Sequence, residues 1–117
     1  YSFVNIGYSI VSGGFAVTNN TVTNTGMGFY LNGAGSSSGN TAANAGERGF
    51  WLAGSGTHSG NTATGSGAGF LAGWQFTGVL SGSASAGNAN GIVVAGGTVR
   101  GNTVTGNGAG SEGLVID

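Results

Sequence analysis

Apolar residues recur in this chain as short triplets separated by small polar residues, and the triplets themselves recur. Asn-Thr-apolar-(Thr/Ala) starts at Asn20, Asn40, Asn61 and Asn102, and Gly82-Ser83-Ala84-Ser85 is a degenerate copy in the open slot, giving gaps of 20, 21, 21 and 20 residues. A second apolar triplet follows each copy about nine residues later. A fixed period of this length marks a solenoid in which each turn of chain is one structural unit.

Alternation within a strand assigns the faces. The residue between the two hydroxyls points inward, giving a column of Phe3, Val22, Ala42, Ala63, Ala84 and Val104. The second strand adds Tyr8, Phe29, Phe50, Phe70, Ile92 and Leu114, then Ile10, Leu31, Leu52, Ala72, Val94 and Ile116. A third short strand sets Val17, Ser37, His58, Val79 and Val99 in register. Between the first two strands lie corners rich in glycine and asparagine, residues that accept positive φ. The prediction is an all-β, parallel, three-sided solenoid of about six coils of 20–22 residues, forming one domain over 1–117. Asn20, Asn40, Asn61 and Asn102 then stack as a ladder that satisfies buried backbone groups, broken in the fourth coil where the asparagine is missing. Neither end of the sequence reads as a cap, which predicts a longer solenoid, end-to-end stacking or lateral pairing.

These residues resemble the right-handed parallel β-helix repeat of pectate-lyase-like proteins, whose coils often read like Gly101-Asn-Thr-Val-Thr-Gly-Asn-Gly108. The resemblance runs over nearly the whole chain and implies a right-handed coil. Lyases, hydrolases, epimerases, phage tailspikes and adhesins share that fold, so it implies no single activity.

Composition narrows the function. Glycine supplies 28 of 117 residues with no proline or cysteine, and charged residues are only 4%, so hydroxyls, amides and backbone must cover the surface. Two arginines, no lysine and a net charge of -1 leave no basic patch for nucleic acid. No apolar run is long enough for a membrane helix. A cysteine-free, glycine-rich repeat suits an extracellular or cell-surface setting.

Candidate chemistry is sparse. The acids Glu47, Glu112 and Asp117 put Glu47 three coils from the others, roughly 14 Å away at ~4.8 Å per coil, too far for paired carboxylates. No metal or cofactor site is expected, since the calcium repeat stops short at Gly96-Gly97-Thr98. His58, the only histidine, is the one candidate general base, but without an acid partner it is expected inward or in a turn, held by a hydroxyl such as Ser37. Glu47 and Arg48 read as a solvated pair. Gly65-Ser-Gly-Ala-Gly69 looks like a phosphate loop but precedes a strand. Asn19-Asn20-Thr21 is a formal sequon beside the ladder.

Two outward files remain. Tyr30, Trp51, Leu71, Val93 and Val115, preceded by Ser9, stack as an apolar ladder, with Trp74 and Phe76 adding to the contact surface. Trp74 has a second reading, turned inward over Ala72. Thr21, Thr23, Thr41, Thr62, Thr64, Ser83, Ser85, Thr103 and Thr105 form a double hydroxyl file, interrupted at Val4 and Ala43, of the kind seen in ice-binding solenoids. The expected function is a non-catalytic structural or recognition module of a secreted, surface or phage protein, self-associating or binding through the ladder. The alternatives are a polysaccharide-binding or carbohydrate-active segment and, after it, ice binding.

Overall fold

A computed structural model describes residues 6–10, 14–106 and 112–116. All of its regular structure is β, in three parallel sheets. The broad sheet has six strands: Ile6–Ile10, Met27–Asn32, Arg48–Gly54, Ala68–Phe76, Asn90–Val94 and Glu112–Ile116. The threonine sheet has five: Thr21–Thr23, Thr41–Ala43, Thr62–Thr64, Ala84–Ala86 and Thr103–Thr105. The third sheet also has five: Ala16–Thr18, Ser36–Ser38, Thr57–Ser59, Val79–Ser81 and Thr98–Arg100. The chain visits the broad, third and threonine sheets in turn, so consecutive strands of one sheet come from consecutive coils. The result is the predicted three-sided β-solenoid.

The core columns follow the sequence in the broad sheet. Phe29, Phe50 and Phe70 are in register and fully buried, as are Leu31, Leu52 and Ala72. Phe29 stacks on Phe50 and Phe50 on Phe70 with centroids 4.7 Å apart in both pairs. Backbone register extends these columns through Tyr8 and Ile10 at one end and Leu114 and Ile116 at the other. Phe3, Val4 and Asp117 lie outside the described residues.

The fourth coil corrects three expectations. Ala63 pairs with Ser85 and not with Ala84, so Ser85 occupies the inward column and Ala84 and Ala86 stand in line with Thr62 and Thr64. In the third sheet Leu80, not Val79, stands in register with His58 and Val99. Ser83 therefore fills the asparagine slot, and the slots are separated by 20, 21, 22 and 19 residues. The reason is hydrogen bonding. The Asn20 N–H donates to Asn40 Oδ1 and the Asn40 N–H to Asn61 Oδ1, both at 3.0 Å. The Asn61 N–H donates to Ser83 Oγ at 3.2 Å, and the Ser83 N–H to Asn102 Oδ1 at 2.9 Å. The ladder thus continues where a break was expected, because a serine hydroxyl accepts the same backbone proton as an asparagine carbonyl.

Ser85 in turn needs partners inside the wall. Its hydroxyl donates to Gly91 O at 2.8 Å and accepts from Asn88 Nδ2 at 2.7 Å, while Asn88 Oδ1 takes the Ser66 N–H at 2.7 Å. This buried trio replaces an apolar contact with satisfied polar ones.

Two corners of the coil recur in left-handed backbone. One set is Asn19, Gly39, Gly60, Gly82 and Gly101, just before the ladder slot; the other is Asn24, Asn44, Gly65, Gly87 and Gly106, just after the threonine strand, all with φ between +56° and +68°. A Cβ at Gly87 would meet no atom within 4 Å, so only backbone strain opposes a side chain there. Gly87→Asn, matching Asn24 and Asn44, is expected to keep stability within about 0.5 kcal/mol, whereas Gly87→Val loses about 1–2 kcal/mol, read from urea midpoints.

Candidate functional site

Backbone register in the broad sheet makes Ser9, Tyr30, Trp51, Leu71, Val93 and Val115 successive partners. Tyr30, Trp51, Leu71 and Val93 are half-buried, each partly shielded by its neighbours in the stack. The Tyr30 and Trp51 rings lie 4.6 Å apart at 28°.

A two-residue irregularity shapes one end of this face. Ala72 pairs with Leu52 but Phe76 pairs with Gly54, so Gly73, Trp74 and Gln75 stand against Ala53 alone. The backbone bulges, as an extra residue in a strand requires. Trp74 is pushed outward and is 77% exposed, the only large hydrophobic side chain so exposed among the described residues. The inward reading of Trp74 is thereby excluded. Phe76 corrects a second expectation: it is buried at 1% and belongs to the core, not to the contact surface. Gly73 lets the bulge lie under the Trp51 indole, since a Cβ there would be 3.2 Å from Trp51 Nε1. Tyr30, Trp51, Trp74 and Gln75 line a small cleft of about 40 Å³.

At the other end of the same strands lies an open groove of about 460 Å³. Ala68, Leu71 and Val93 give it an apolar floor, and Glu47, Arg48 and Asn90 its polar rim. Arg48 does not pair with Glu47 as expected. Its guanidinium lies over the Trp51 ring, 5.1 Å from the centroid, an attraction to the negative ring face that joins the groove to the aromatic cleft. That contact was missed because Arg48 was read with its sequence neighbour and not with the ring three positions on.

The remaining candidates are placed as follows. His58 is fully buried, its ring between Phe15 and Phe76 at 6.1 and 5.8 Å. Its Nδ1 is 2.7 Å from Ser37 Oγ, which also accepts from Asn61 Nδ2 at 3.0 Å, so the predicted serine partner is the one observed. Burial pushes its pKa down from 6.5 to about 4, and Nε2 makes no hydrogen bond. A histidine so enclosed reaches no substrate. Arg48, Ala68, Asn90 and Glu112 are successive register partners, so the Glu47 corner stands three rungs from Glu112, too far for joint acid-base work. No cluster of three metal-ligating side chains occurs among the described residues. Asn19, the acceptor position of the sequon, is exposed at a left-handed corner, and the neighbouring Asn20 amide is held by Thr18 O and Asn40 Oδ1. The Gly65–Gly69 stretch is a left-handed corner entering a strand.

The hydroxyl file keeps Thr21, Thr23, Thr41, Thr62, Thr64, Thr103 and Thr105 in register, but Ser83 and Ser85 leave it. Both serines are buried, and Ala84 and Ala86 take the outward places in the fourth coil. With Ala43 already interrupting the second rung, the array is not continuous.

Comparison with known proteins gave no matching family profile, no matching curated protein and no matching solved structure. The solenoid shape is compatible with the pectate-lyase-like repeat, and the resemblance rests on that shape and on the coil motif alone.

Proposed function

We propose that this solenoid is a non-catalytic recognition module of a secreted, cell-surface or phage protein, and that it contacts its partner through the outward file of the broad sheet. The observation that carries this reading is the continuous row Tyr30, Trp51, Leu71 and Val93 with Trp74 standing 77% exposed beside it. Tryptophan and tyrosine offer large contact areas with little rotamer entropy to lose, and a fully solvated indole is costly unless something covers it. Glu47 and Arg48 line the groove beside it. Nothing in this arrangement supplies a paired acid and base.

A second reading is favoured by the cleft itself. Stacked aromatic faces beside the Gln75 amide and the Arg48 guanidinium are the groups that hold a sugar ring: apolar area for its flat side and donors for its hydroxyls or carboxylate. A panel of neutral and acidic polysaccharides, read by tryptophan fluorescence and calorimetry, tests it. Saturable binding weakened at least tenfold in Trp51→Ala supports the polysaccharide reading. Time-dependent release of new chain ends, lost in no known control protein, would instead contradict the non-catalytic assignment.

A further inference from the structure

We infer that the partner of this face is a second copy of the chain, packed about a two-fold axis that runs parallel to the solenoid axis over Leu71. The inference rests on the reading that the broad sheet is the contact surface, and goes beyond it by naming the occupant and the symmetry.

The face carries both a projection and a receptacle. Trp74 projects at the C-terminal end of the fourth strand. The groove opens at the N-terminal end of the same sheet, floored by Ala68 and Leu71 of that same strand and by Val93 of the next. Leu71 lies midway between Ala68 and Trp74 in sequence. When two such faces meet, a two-fold axis parallel to the solenoid keeps each coil at its own level and reverses the strand direction. Trp74 of each copy is then carried to the groove of the other at the level of the fourth coil, and both contacts form at once. Reciprocity of this kind is what an isologous interface demands. The groove, at about 460 Å³, is large enough for an indole.

Charge does not oppose the pairing. Glu47 and Arg48 stand at the third coil on the groove side, so the rotation sets them opposite the strand end containing Ala53 and Gly54, which carries no charge. Arg48 of one copy comes to the side of the face that bears Trp74 of the other, while Tyr30 and Trp51, which share a register column with Leu71, lie along the axis itself. The area is modest. Six strands at ~4.8 Å and five to nine residues per strand give roughly 24 by 20 Å, about 500 Å² per copy, against about 800 Å² per partner in a standard interface. An interface below the standard size is a weak, transient one, so the dimer is expected to dissociate on dilution.

The test is sedimentation velocity over a concentration series. The native chain is expected to pass from monomer to dimer, and Trp74→Ala is expected to weaken the association at least tenfold. Leu71→Arg, which sets two like charges together on the axis, is expected to abolish it. Both side chains point outward, so unchanged circular dichroism separates loss of association from loss of fold. The chain has no cysteine, which makes single-cysteine variants free of background. Leu71→Cys should be linked into dimers by a short bifunctional thiol reagent, and Thr103→Cys on the threonine sheet should not. A chain that stays monomeric at every concentration overturns the second copy as partner, and a dimer indifferent to both Trp74→Ala and Leu71→Arg overturns its location. If the monomer still binds a polysaccharide and loses that binding in Trp74→Ala, the contact face stands and only the two-fold pairing falls.

Discussion

Phe50→Ala is expected to bring this solenoid to the edge of unfolding, with a loss of about 5 kcal/mol. The phenyl ring is fully buried and sandwiched between Phe29 and Phe70, with centroids 4.7 Å away on each side and planes within 7° of parallel. Truncation removes the transfer free energy of the ring, leaves a cavity, and deletes two stacking contacts together. The cavity cannot close easily, because the rungs above and below are held at fixed spacing by the strand ladder. Total stabilities of about 5–15 kcal/mol leave little reserve after such a loss. Phe50→Leu keeps most of the apolar volume, as Ile92 does in the same column, and is expected to cost about 1–2 kcal/mol. Urea denaturation with an unchanged slope measures both values, and a Phe50→Ala midpoint close to that of Phe50→Leu would mean that the stack contributes little.

Acid is expected to destabilise the protein through His58. Burial holds its folded pKa at about 4, below the value of 6.5 that it regains on unfolding. Between these values the unfolded chain binds a proton that the folded chain refuses. Stability is therefore complete above pH 6.5 and falls by up to about 1.4 kcal/mol per pH unit towards pH 4, about 3 kcal/mol in all. Charging the imidazole would set a cation between Phe15 and Phe76 with no acceptor for Nε2. His58→Leu places in this coil the residue that Leu80 already provides in the next, and is expected to flatten this part of the pH profile. Thermal midpoints of both proteins from pH 7.5 to pH 4 decide the matter. Parallel curves would assign the acid sensitivity to other groups.

The columns that could be read from the sequence are those built on identity of residue type. Phe29, Phe50 and Phe70, or Asn20, Asn40 and Asn61, occupy equal places because equal side chains do equal work. The fourth coil could not be read this way, because its roles passed to different residues. Ser83 accepts the ladder proton in place of an asparagine, and Ser85 enters the inner column because Asn88 and Gly91 are there to bond it. Aligning Ala84 with Ala63 matched small apolar residues and missed the hydrogen bonds that set the register. The aromatic surface was legible in outline and not in detail. Strict alternation from Ala72 sends both position 74 and position 76 inward, yet the bulge looped Trp74 and Gln75 out while Phe76 packed against His58. Only the greater length of that coil signalled the difference, and length alone does not say which ring goes where.

The broad and threonine sheets approach each other closely where glycine faces the inner column. A Cβ at Gly28 would lie 2.7 Å from the Ala42 methyl, one at Gly49 2.8 Å from that of Ala63, and one at Gly69 2.1 Å from Ser85 Oγ. Along this seam the tube is solid: its bore has been closed by pairing missing side chains with small ones. Nothing can be threaded or stored at that corner of the molecule.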